Sequence, residues 1–243
     1  MSYNELKYDE LVNISKNVAN NNFLNNWISN SKKWSYEQYN IYTSNMMLRL
    51  APTVVRLRLG LELLQNANSR ELDELIHAFE HNIEDESGDD DIEKSHARLF
   101  RKSSSVYSEV IYGADFERVE PLDSTKFLHE ESMKLFSSDI YTMLGATIAQ
   151  ETHALPQLEN MLKGIENSKE LFASEQWEQV SYFYDIHLDG TELRQAEDLN
   201  DAVWSLLDTS EKKANFYNGY HKFIELLSHY WQGLEKSVAR STT

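Results

Sequence analysis

The sequence predicts an all-α fold, a single bundle of about seven to nine helices spanning residues 1–243. Three observations carry that prediction. Only 8 Gly and 3 Pro interrupt the 243 residues, too few breakers for a β-rich chain with many tight turns. Apolar residues recur at three- and four-residue steps almost throughout, the period of an amphipathic helix. No segment alternates well enough to read as a strand.

The elements follow in order. Leu6, Tyr8, Leu11, Ile14 and Val18 mark a first helix over 3–20, and "NNFLNNWISNSKKW" reads as a polar break. Ser35 is a candidate N-cap for a helix through Tyr39, Tyr42, Met46 and Leu50. Pro52 interrupts it, and "TVVRLRLGLELLQ" continues as a largely apolar helix. The next helix runs from Ser69 through Leu72, Leu75, Ile76, Phe79 and Ile83 to "SGDDD". Asp91 can cap a short helix carrying His96, Leu99 and Phe100, and residues 112–124 read as a loop. A helix from Asp123 or Ser124 carries Phe127, Met133 and Phe136. Another, about 139–163, contains Pro156 and should kink there. A long helix over 174–208, interrupted near Gly190, and a last one over about 210–238 complete the bundle.

Composition excludes several classes of function. The chain has no Cys, which removes disulfides, thiolate metal ligands and a cysteine nucleophile. The formal net charge of −17 argues against nucleic acid and against an anionic membrane surface, since both need clustered Lys and Arg. No apolar run reaches the roughly 18 residues of a membrane span, and "MSYNELKYDE" lacks a signal layout. The expectation is a cytoplasmic protein.

Three segments combine acidic and imidazole groups with apolar neighbours. In "HNIEDESGDDDIEKSHARLF", Glu86 ends one helix and His96 lies on the next. In "GATIAQETHALPQL", Glu151 sits in an apolar helix, where a lone carboxylate is costly unless paired or metal-bound. In "YFYDIHLDGTELRQAE", Asp189 lies about 40° to one side of Asp185 and Glu192 about 20° to the other, so the three share one helical face, and His187 points about 160° away from Asp185. Three carboxylates on a buried face require a positive partner, either Lys, Arg or a cation; on an exposed face they are a solvated surface. His77 and His81, at i, i+4, have a spacing that can bind metal but lack an evident third ligand. His153, His221 and His229 read as packing or surface residues.

In order and spacing, these segments resemble the heme-oxygenase-like diiron oxidases, a group that includes the chlamydial death-domain-associated protein (CADD). The group shares its fold with thiaminase-type TenA proteins and the pyrroloquinoline quinone synthase PqqC. Its pattern is a Glu, a His about seven to ten residues on, a Glu in a mid-chain helix, and a late His-x3-Asp-x2-His. Glu86, His96, Glu151 and Asp189 match it over about residues 30–230, but Asp185 and Glu192 stand where the group places its two late histidines. His187 is the substitute if the helix is irregular at Gly190.

The resemblance implies an O2-dependent oxidase holding two Fe(II) ions per chain, with Mn an alternative. The ligands would be Glu86, His96, Glu151, Asp185, Asp189 and Glu192. It also implies a small, amino-acid-derived substrate, a biosynthetic role and a homodimer. The five carboxylates give five negative charges against the four positive charges of two divalent ions, an anionic balance that could favour Mn or cost one metal position. Two alternatives stand beside this reading. One is a metal-depleted, non-catalytic or partner-binding protein on the same scaffold. The other is a cofactorless oxidase like the quinone synthase, which needs convergent basic groups in its pocket; the sequence offers few candidates for them.

Overall fold

The structure, a computed structural model, describes residues 8–241, with the side chains of residues 191–196 and 198 outside the description. Eleven α-helices and no strand occur among the described residues. They are α1 (Tyr8–Ala19), α2 (Asn22–Asn30), α3 (Tyr36–Leu50), α4 (Thr53–Asn66), α5 (Asp73–Ser87), α6 (His96–Tyr112), α7 (Asp123–Phe136), α8 (Ile140–Glu166), α9 (Ser174–Leu188), α10 (Thr191–Leu206) and α11 (Ser210–Arg240).

The count exceeds the sequence expectation by two helices, for local reasons. The supposed polar break after residue 20 contains α2, whose first turn is capped by the Asn21 side chain accepting from Leu24 N at 2.9 Å. Its Phe23, Leu24 and Trp27 are buried, so a short apolar stripe outweighs the Asn-rich composition. Gly190, at φ 93°, divides α9 from α10 completely, as a left-handed residue does when it ends one helix and begins another. Other boundaries fall where cap chemistry puts them. Ser35 and Gln38 form a capping box at the start of α3. Pro52 separates α3 from α4, and Asp139 accepts from Tyr141 N and Thr142 N at the start of α8.

Helix α8 is the axis of the bundle. It is buried all round from Thr142 to Gln150, and packs against α1, α2, α4, α7, α9, α10 and α11. Its main partner is α11, and glycines set their approach: a Cβ on Gly145 would lie 1.9 Å from Phe216 O, and one on Gly219 would lie 1.9 Å from Thr142 O. Only glycine lets the two backbones cross this closely. On the far side, α4 pairs with α5 and α6 with α9. The ends of α3 and α5, the starts of α4 and α6 and the middle of α8 therefore meet near the last turn of α9, around the cavity described next.

Candidate functional site

The connection between α5 and α6 brings Glu86 and His96 together. Gly88 ends α5 at φ 82°, and a Cβ there would lie 2.4 Å from Ser95 N and 2.5 Å from Asp91 O. Asp91 then caps a 3-10 turn, Ile92–Lys94, by accepting from Glu93 N. This folding-back puts His96, the first residue of α6, next to Glu86 in the last turn of α5: His96 Nδ1 lies 3.2 Å from Glu86 Oε2. His96 is buried, whereas the Glu86 side chain is 26% exposed.

The third member is His187 in the last turn of α9. Its Nε2 lies 3.2 Å from His96 Nδ1, and its Nδ1 hydrogen-bonds to Phe183 O one turn back. A carbonyl only accepts, so His187 Nδ1 carries the proton and Nε2 presents a lone pair. His96 Nδ1–H is then the donor shared between Glu86 and His187. Burial, with His96 beside it, pushes the His187 imidazole down to about 4, so it is neutral at physiological pH. Burial would raise the Glu86 carboxyl, but His96, by charge and hydrogen bond, with His187 and Arg56 behind it, holds it below the ordinary carboxylate value.

These groups line a cavity of about 60 Å3 with Glu151, Gln150 and Gln157 of α8, Arg49 of α3 and Arg56 of α4. Leu50, Leu128, Leu158, Phe183 and Phe223 supply its apolar wall. Arg56 is 4% exposed and donates from Nε to Gln150 Oε1 and from Nη2 to Thr53 Oγ1, both at 3.0 Å. Arg49 donates to Gln157 Oε1, and its guanidinium lies over the rings of Tyr230 and Trp231, 5.6 and 5.7 Å from the ring centres. Burial lowers both guanidiniums to about 10, which leaves them charged at neutral pH. Glu151 also borders a second cleft of about 400 Å3 between α1 and α8, and so forms the wall between inside and outside.

Of the six expected ligands, Glu86, His96 and Glu151 meet at this cavity. Asp185 does not, because its side chain is exposed. Helix α9 turns Val180, Phe183, Tyr184 and His187 inward, so the residue expected to point away is the one that reaches the cavity. Asp189 is exposed at the C-cap of α9, and its charge acts on His187. Glu192 has its side chain outside the described residues. Among the described residues, no three His, Asp or Glu side chains stand, as placed, where they could hold a metal ion, so an ion at Glu86, His96 and His187 requires their side chains to turn toward a common point. His77 and His81 instead border a cleft of about 510 Å3 between α5 and α10, with Glu74 and Asp201.

The two arginines escaped the sequence reading, which found few basic candidates for a pocket. A signal existed for Arg56: with Thr53, Gly60 and Leu64 it falls on the buried stripe of α4, while Arg58 faces solvent. A lone cation on a buried stripe carries the same information as a lone carboxylate.

The bundle has the heme-oxygenase-like fold. It superposes on a domain of unknown function with that fold from Shewanella denitrificans, with a TM-score of 0.70 and 14% identity over 97% of this chain and 93% of that one. A CADD-like protein of unknown function from Nostoc punctiforme gives 0.74 at 20% identity over 95% and 98%. A TenA homolog from Pseudomonas syringae gives 0.72 at 13% over 94% and 92%. Within that fold, residues 36–237 match the model of DUF3865, a domain of unknown function with a solved structure, and the chain belongs to this family. No curated protein matches it.

Proposed function

We propose that the protein is a non-haem iron oxidoreductase that uses O2 on a small metabolite, with one ion held by Glu86, His96 and His187. The observation that carries this reading is the pair of 3.2 Å separations from His96 Nδ1 to Glu86 Oε2 and to His187 Nε2. Ligand atoms about 2.1–2.2 Å from one ion, at right angles to each other, lie about 3 Å apart. Two imidazoles and one carboxylate are the donor set of non-haem Fe(II) oxygenases, which leave other positions open. The Phe183 carbonyl fixes the His187 tautomer with Nε2 free to ligate, as outer hydrogen bonds do for metal-bound histidines. The ion would replace the shared proton that now joins the three groups.

The charges described at the cavity favour one ion over two. Among the four charged side chains Glu86, Glu151, Arg49 and Arg56 the signs balance, so two divalent ions would add four positive charges to a small buried space. One ion adds two. Bound iron would supply the one-electron chemistry that O2 requires. This chain's residues orient the imidazoles and hold anionic and amide-bearing groups against the cavity.

The test is anaerobic addition of Fe(II), desalting and elemental analysis. The reading expects about one iron per chain, lost in His187→Ala and kept in Asp185→Asn. Iron that does not survive desalting would overturn it. In that case the buried Arg49 and Arg56 favour the cofactorless reading, since they are the convergent basic groups such a site needs.

A further inference from the structure

From the geometry of Arg56, we infer that the cavity contains a carboxylate-binding subsite, and that the natural ligand is a small monocarboxylic acid whose acid group docks on this guanidinium. Arg56 lies at the start of α4, enclosed by protein on all sides except the cavity. Two of its five N–H donors are taken by the neutral partners Gln150 and Thr53. Among the described residues, no carboxylate lies at salt-bridge distance from Arg56 or from Arg49. Glu86, the nearest candidate on α5, is engaged with His96, and Glu86 and Glu151 act on Arg56 only through their field. A buried charge without a contact partner is costly, and a planar fork with open donors is the group best shaped to grip a carboxylate through two parallel hydrogen bonds.

Size and charge narrow the ligand class. A cavity of about 60 Å3 has room for about four water-sized groups, enough for an acid group and the first carbons attached to it. Leu50, Leu128, Leu158, Phe183 and Phe223 give those carbons an apolar wall. The guanidiniums of Arg49 and Arg56 select an anion, and the flat carboxylate needs less room there than tetrahedral phosphate or sulfate. The subsite stands on Arg56 alone and does not require iron at His187. If iron is bound there, the acid also offsets part of the excess positive charge.

The experiment titrates chelator-treated protein with acetate, propionate, butyrate and valerate, and with the corresponding primary amides, by calorimetry and thermal shift. Iron is absent from every arm, so the outcome is independent of the metal reading. The expected result is that at least one acid binds and raises Tm at millimolar concentration while its amide does not. Arg56→Gln should weaken binding at least tenfold with the helical circular dichroism intact. Arg56→Lys keeps the charge without the fork and should give an intermediate loss, which covers the case in which Arg56→Gln does not fold. The inference is overturned if amides bind as well as acids, if sulfate or phosphate binds as tightly as the best acid, if none of the acids binds, or if the Arg56 variants bind unchanged.

Discussion

The protein contains two histidine-bearing recesses that differ in kind. The cleft between α5 and α10 is the larger, about 510 Å3, and displays His77 and His81 with Glu74 and Asp201. The inner cavity is about 60 Å3, but it gathers two imidazoles, two carboxylates and two guanidiniums, and its His96, His187 and Arg56 are each more than nine-tenths buried. The difference teaches that volume is a poor guide to chemistry here. Burying charged groups costs free energy that a solvated rim does not, so the interior cluster is the stronger candidate for a site, whereas i, i+4 histidines at a rim carry little cost.

The largest expected effect separates the two recesses directly. His187→Ala should lower iron affinity by more than the 10–100-fold typical of residues that only support a ligand, while His77→Ala and His81→Ala leave it unchanged. Metal analysis after desalting reads both.

The next effect concerns pH. His187 is held neutral, with its folded value at about 4 against an ordinary 6.5, so below pH 6.5 the unfolded chain binds the extra proton. Stability of the metal-free protein should therefore be full above pH 6.5 and decline as the pH falls toward 4, by about 3 kcal/mol from this group. Buried His153 is depressed in the same direction. Glu86, also depressed, adds its own loss as the pH drops through its folded value. Urea unfolding from pH 7 to pH 4 measures the slope, and His187→Gln should flatten it.

A smaller effect tests the α5–α6 connection. Gly88→Ala forces a Cβ against the backbone of Ser95 and Asp91 and should cost about 1–3 kcal/mol, together with iron binding. Gly113 has a similar φ, 77°, with nothing within 4 Å of an added Cβ, so Gly113→Ala should cost only the left-handed penalty of about 1 kcal/mol and spare the site. Smallest of all, Asp185→Asn should change stability by less than about 0.5 kcal/mol, as exposed substitutions do.

Much of this was legible before the structure, and the errors have a common physical origin. Helix periods, the Ser35 cap and the Pro52 and Gly190 breaks are local properties, so they can be read from the chain itself. Glu86 and His96 were legible as a pair from their spacing and the family resemblance, and the structure joins them through the tight return at Gly88 and Asp91. Helix α9 was misread because two faces competed for the interior. The carboxylates at 185 and 189 drew attention, but the stripe of Val180, Phe183, Tyr184 and His187 decides which face is buried, since the apolar area there outweighs any polar spacing. On α8 the same rule worked the other way: Glu151 stood out because its neighbours are apolar. Arg56 was hidden by its neighbour Arg58, which makes the run look like an ordinary charged face until α4 is placed against α8.

The measurement that tests the account most directly is anomalous diffraction at the iron edge from crystals soaked anaerobically in Fe(II). The account predicts one peak, bounded by Glu86, His96 and His187, with Arg56 facing it across the cavity. Two peaks sharing Glu151 and Asp189, a peak at His77 and His81, or no peak at all would contradict it.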